Sequence, residues 1–136
     1  MKPNGVIQRK FAFIDANARF VRAALKGITL AQFKRNRMLR YAVERALQTM
    51  VEALLDVAER IVALRGAGPV STAVETIETL VQLGVLQAAT PYVHMVRFRN
   101  LIVHEYEEVD PGLVYAIATK HLAGFARFRE EVDARG

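Results

Sequence analysis

Residues 37–64, RMLRYAVERALQTMVEALLDVAERIVAL, set the architecture of this chain. Val43, Leu47, Met50, Leu54, Ala58 and Ile61 recur at intervals of three and four, which places them on one stripe of an α-helix. Asn36 stands directly before the run, and its side chain can accept a hydrogen bond from a first-turn N–H. Gly66, Gly68 and Pro69 follow it and cannot carry a helix forward. The spacing therefore predicts a long helix over Arg37 to Leu64. Glu52, Asp56 and Glu59 lie beside the stripe at helical spacing. They lack the Glu-x-x-His pairs of a di-iron bundle and form the polar border of the core.

The flanking sequence has the same period. Upstream, Ile7, Phe11, Ile14, Ala18, Val21 and Leu25 predict a helix from Val6 to Leu25 that stops at Gly27. Thr29 then caps a short turn containing Leu30 and Phe33. Downstream, Ser71 is expected to cap a third helix that reaches Leu83 and closes at Gly84. Thr90-Pro91 and Asp110-Pro111 are paired start signals, an oxygen-bearing cap before a proline whose missing N–H costs nothing in the first turn. They open a fourth helix and a fifth, the latter over about Pro111 to Val132. No repeat, low-complexity tract or linker divides the chain. The expectation is an all-α antiparallel bundle of about five helices, one domain over residues 1–136.

Composition narrows the function classes. The chain is 52% hydrophobic, yet no apolar run approaches the ~20 residues of a membrane span, so no membrane association is expected. Met1-Lys2-Pro3-Asn4-Gly5 is not followed by an uninterrupted apolar stretch, so no signal peptide is expected. The absence of Cys excludes disulfides, thiolate metal sites and Cys nucleophiles, and it fits a cytoplasmic location. The net charge of +5 is unevenly spread. Residues 1–45 hold 11 Lys/Arg against Asp15 and Glu44, a net of +9, and residues 46–136 carry a net of −4. Lys34, Arg35, Arg37, Arg40 and Arg45 are the densest cationic cluster. It reads either as a solvated face or as a track for a phosphate backbone or an acidic partner.

The chemistry concentrates in Arg99-Asn100-Leu101-Ile102-Val103-His104-Glu105-Tyr106. A guanidinium can hold a phosphoryl oxygen in a bidentate fork, and an imidazole can move a proton near neutral pH. On a helix Asn100 and His104 share a face, whereas Arg99 and His104 lie about 140° apart. The next helix begins at Asp110, so the motif helix must end between His104 and Glu108. His104 and Tyr106 are then expected at a frayed helix end, in a cleft beside the loop. RNA cleavage by the neighbouring 2′-hydroxyl needs a base, an acid and stabilisation of charge at phosphorus, with no metal required. His104 can be base or acid, Arg99 can hold the non-bridging oxygens, and Asn100 can assist. One motif offers one imidazole, while an acid–base pair wants two. A symmetric dimer would supply both.

The pattern Arg-x4-His-x-Tyr, with Asn100 directly after the Arg, resembles the HEPN superfamily, and more closely the HepT-type toxins of two-gene toxin–antitoxin modules. Glu107-Glu108-Val109-Asp110-Pro111 and the helical layout fit the same resemblance, which covers about residues 6 to 132. It implies a homodimer whose paired motifs, with Arg99 and His104 as catalytic residues, form a metal-independent endoribonuclease site without a cofactor. RNA is the implied substrate, tRNA among the candidates, with Asn100 and Tyr106 as substrate-contacting residues. It also implies a cognate nucleotidyltransferase antitoxin of the MntA type, which transfers AMP to Tyr106 and silences the toxin.

Other readings of the same residues remain open at the level of sequence. Arg99 can pin the chain to Glu105, Glu107 or Glu108 while His104 caps the helix. Tyr106 can pack at the end of the bundle. The whole chain can be a non-catalytic helical module that binds a nucleotidyltransferase, or a nucleic-acid binder driven by its basic first third. His94 and His121 each stand alone in a helical pattern and read as surface or cap residues. Glu105, Glu107, Glu108 and Asp110 lack the ligand order of a calcium loop and read as a solvated turn. No phosphate-binding Gly-rich loop, Gly-x-Ser-x-Gly or His-Glu-x-x-His motif occurs, so nucleotide hydrolysis, serine hydrolysis and zinc proteolysis have no support.

Overall fold

The periodic apolar stripes of the sequence become the buried faces of the helices. In a computed structural model, which describes residues 5–104 (His104 by its backbone) and 109–136, the order is α1 (Gly5–Leu25), α2 (Leu30–Arg35), α3 (Arg37–Leu64), α4 (Ala73–Gln82), α5 (Thr90–His104), α6 (Pro111–Lys120) and α7 (Ala123–Arg135). Ile7, Phe11, Ile14, Ala18, Val21 and Leu25 form the buried face of α1. All six predicted stripe residues of α3 are buried, with Val51, Ala53, Leu55, Val57 and Val62 beside them. The helix is apolar around much of its circumference because it is central. It packs against α1, α2, α4, α5 and α6. Each fully buried Leu, Ile or Phe in such a core contributes roughly 1.5–3 kcal/mol of transfer free energy. Among the described residues no helix is long and apolar enough to cross a membrane.

The all-α expectation holds, with seven helices among the described residues where five were expected. The turn after Thr29 is a helix of its own, α2. The Thr29 side chain accepts from the Gln32 N–H, and the Gln32 side chain accepts from the Thr29 N–H, a complete capping box that stabilises a short helix. Asn36 ends α2 and starts α3, accepting from the Leu39 N–H at 3.0 Å. The third predicted helix begins later than expected. Thr72, not Ser71, caps α4: its side chain accepts from the Glu75 N–H at 3.0 Å, while the Ser71 N–H donates to the Glu75 carboxylate at 2.7 Å. The fifth predicted helix is two, α6 and α7, interrupted at His121 and Leu122. Val114, Ala118, Leu122, Phe125, Phe128 and Val132 are all buried, and their three- and four-residue spacing runs through the break. The apolar period therefore hides it. Gly84 closes α4 at φ +78°, where a side chain would be strained.

Three contacts set the direction of α5. Lys10 Nζ lies 2.8 Å from Asp56 of α3. Phe11 packs edge-on against Phe128, with centroids 6.2 Å apart, and Phe128 against Tyr92 at 5.4 Å. The start of α5 is thus level with Asp56. Farther along, Phe98 and Leu101 share a cavity wall with Leu47 and Val51. Hence α5 runs antiparallel to α3, and its C-terminal end points toward the α3 N-terminus. On α6, the Tyr115 hydroxyl donates to the Ile28 carbonyl at 2.6 Å and its ring meets Phe33 at 5.6 Å, which ties the helix to α2 and the turn before it.

Candidate active site

The backbone of α5 is helical from Thr90 through His104, so the register of the motif is that of a continuous helix. At 3.6 residues per turn Asn100 and His104 lie about 40° apart, on one face. Arg99 lies about 140° from His104 and leans toward the bundle. It is half-buried, and its Nε is fully buried with no hydrogen-bond partner among the described residues. A buried N–H left without any partner costs about 1–3 kcal/mol. Leu101 and Val103, between the polar residues, are exposed, and Ile102 is partly buried against the core. The helix places Asn100 and His104 together and Arg99 around the corner from them. Tyr106, Glu105, Glu107 and Glu108 lie outside the described residues, as do the frayed end and cleft expected there.

Across the loop, Asp110 caps α6, its carboxylate accepting from the Gly112 N–H at 2.9 Å, with Pro111 in the first turn. The start signal thus opens α6 as expected, and Leu101 of α5 and Leu113 of α6 line one cavity. Because α5 is antiparallel to α3, the motif end also faces the α3 N-terminus, which carries Arg37 and Arg40, with Lys34 and Arg35 just before it on α2. The guanidinium of Arg37 lies over the Tyr41 ring at 6.0 Å. The basic cluster and the motif therefore share one end of the bundle.

A groove of about 900 Å³ opens between α5, α6 and the start of α7. Its floor is apolar, with Leu47, Val51, Phe98, Leu101, Leu113 and Ile117, and His94, Arg97, Lys120, His121 and Arg127 line it as well. These five basic side chains are all exposed. His94 and His121 are surface residues as expected, and the His121 N–H donates to the Ile117 carbonyl at the end of α6. Sequence reasoning passed over Arg97. Its signal was present in the helical spacing, because residues three and seven before Asn100 and His104 fall on their face. Among the described residues no group of three or more His, Asp or Glu is placed to hold a metal ion. Glu52, Asp56 and Glu59 are accordingly a helix border, with Asp56 paired to Lys10.

Residues 14–132 match the protein family described as ribonuclease HepT-like. No match is found among curated proteins. Similar solved structures include the tri-AMPylated Shewanella oneidensis HEPN toxin in complex with MNT antitoxin, at 25% identity over 97% of this chain and 99% of that chain, with a TM-score of 0.89. A toxin–antitoxin with AMP-PNP is similar at 25% identity over 96% of this chain and 99% of that one, TM-score 0.88. A mutant of the toxin–antitoxin MntA-HpeT is similar at 26% identity over 96% and 99%, TM-score 0.85.

Proposed function

Since the chain belongs to the HepT-like ribonuclease family, we propose that it is the toxin of a toxin–antitoxin pair and acts as an endoribonuclease that needs no metal. The observation that carries this reading is the family match across residues 14–132, which takes in the whole Arg99–Tyr106 motif. The α5 register supports it, with Asn100 and His104 on one face, and so does the buried Nε of Arg99, which has no partner among the described residues. Residues that break the rule of polar satisfaction cluster at functional sites.

The reaction would proceed as follows. His104 removes the proton of a ribose 2′-hydroxyl, and that oxygen attacks the adjacent phosphorus. Negative charge builds on the non-bridging oxygens, where Arg99 and Asn100 stabilise it. The 5′-oxygen of the next nucleotide leaves with a proton from an acid, giving a 2′,3′-cyclic phosphate. A second His104 across a twofold axis supplies that acid, so the active species is a homodimer. The partner is a nucleotidyltransferase antitoxin of the MntA type. The Tyr106 phenol oxygen attacks the α-phosphorus of ATP on that partner, pyrophosphate leaves, and the phenol proton passes to a base. The resulting AMP group adds negative charge beside the motif and would block an anionic substrate.

The test is cleavage of total RNA and of a tRNA pool in excess EDTA, by protein prepared without any partner and by His104→Ala. The expected result is cleavage by the parent and none by the variant, with equal helical circular dichroism. A folded variant that cleaves as the parent does would remove His104 from the mechanism. A dimeric, unmodified parent that cleaves nothing would leave the chain as a binding partner of the nucleotidyltransferase.

A further inference from the structure

The groove beside α5 has the shape and charge of a strand-binding surface, and nothing in the catalytic reading uses it. Its lining includes Arg97, Lys120 and Arg127 and, among the described residues, no carboxylate. None of these three side chains makes a hydrogen bond or ion pair among the described residues. Arg97 lies about 20° from His104 around the helix and shares its face with Asn100. The groove follows α5 from Thr90 to Leu101, a length of about 16 Å at 1.5 Å per residue. One end of it is therefore at the motif. The floor is aliphatic where it is open, since Leu101 and Leu113 are exposed while Phe98 and Phe125 are 5% exposed.

We infer that this groove holds the single-stranded RNA that flanks the scissile phosphate, with backbone phosphates on Arg97, Lys120 and Arg127 and bases over the apolar floor. The inference rests on the ribonuclease reading. Charge complementarity selects the occupant, because three exposed cations in a lining that holds no carboxylate among the described residues match a polyanion. The apolar floor selects a single strand, whose bases are free to leave water, over a duplex that offers mainly phosphate and sugar.

The probe is a fluorescein-labelled single-stranded RNA carrying 2′-O-methyl groups, which cannot be cleaved. Its binding to the full chain is followed by fluorescence anisotropy in EDTA at several salt concentrations. The variants are the triple change Arg97→Ala, Lys120→Ala and Arg127→Ala, and Arg60→Ala, an exposed charge near the far end of α3. Cleavage of the unmodified RNA by the parent is measured alongside. The triple variant should bind at least about ten-fold more weakly and lower the salt slope by about 2, at about 0.7 for each lost phosphate contact. Arg60→Ala should bind as the parent does. A triple variant that matches the parent in affinity and slope overturns the groove assignment, while cleavage by the parent keeps the ribonuclease reading intact. A triple variant whose mass in light scattering differs from the parent's would make the groove an interface between copies and overturn it likewise. A parent that neither binds nor cleaves brings down both readings.

Discussion

Arg99 is half-buried at the start of the motif, and its role can be separated from that of the fold by substitution. Its Nε is buried without a partner among the described residues, a cost of about 1–3 kcal/mol. Arg99→Met is expected to abolish RNA cleavage while leaving the urea unfolding midpoint unchanged or higher. Arg99→Lys keeps the charge but loses the planar fork, so cleavage should fall there as well. A loss of about 2 kcal/mol or more in Arg99→Met would assign the residue to the fold instead. Tyr92 is the opposite case, buried and satisfied. Its hydroxyl donates to Glu131 Oε2 at 2.5 Å, and the same carboxylate accepts from the Gln87 N–H at 3.1 Å. Burial, then the hydrogen bond and charge of Glu131, push the phenol well above its ordinary range. A raised folded pKa favours the protonated, folded state. That contribution is complete below the unfolded value of about 10 and is lost as pH rises past it, where only the unfolded chain ionises freely. Tyr92→Phe should therefore lose stability less steeply than the parent between about pH 9.5 and 11.5. Parallel urea midpoints across that range would refute the linkage.

The helices themselves were legible where their ends carry local chemistry. Asn36, Asp110-Pro111 and Gly84 act on backbone groups within a few residues, so their effect can be read from neighbours in the chain. Asn36→Ala removes the acceptor for the Leu39 N–H and should cost about 1 kcal/mol in chemical denaturation. No change would mean that packing alone holds the α2–α3 junction. The break between α6 and α7 was not legible, because the apolar spacing from Val114 to Val132 continues through it. Packing decides that break. Tyr115 is tied to Ile28 and Phe33, while Phe128 meets Phe11 and Tyr92, so the two halves answer to different neighbours. Phe128 is fully buried among those rings, and Phe128→Ala should cost about 3–5 kcal/mol. A cost below about 1 kcal/mol would show that the contact between α7 and α1 is dispensable.

At the scale of the whole molecule, one imidazole per motif is the ground on which we propose a dimer. Light scattering at micromolar concentration should return twice the chain mass of 15.2 kDa. A monomer that still cleaves RNA in EDTA would end the composite-site reading and require another acid within one chain. The uneven charge also acquires a location at this scale. The basic cluster before and within α3 and the motif end of α5 lie at one end of the bundle because the two helices are antiparallel. Substrate phosphates would then meet the cluster's cations, and cleavage should slow as salt screens that attraction.

The sequence by itself determined most of the helices, their main caps, the core stripe of each long element and the motif on which the family resemblance rests. Those properties depend on residues within one or two turns of each other, and a helical period records them directly. Only the tertiary structure decided which ends of which helices meet, where the last long apolar run breaks, and that Arg97, Lys120 and Arg127 line one groove. These three residues come from α5, α6 and α7, separated in the chain by the loop and the break. Packing converts that separation into adjacency, and no local period in the sequence encodes it.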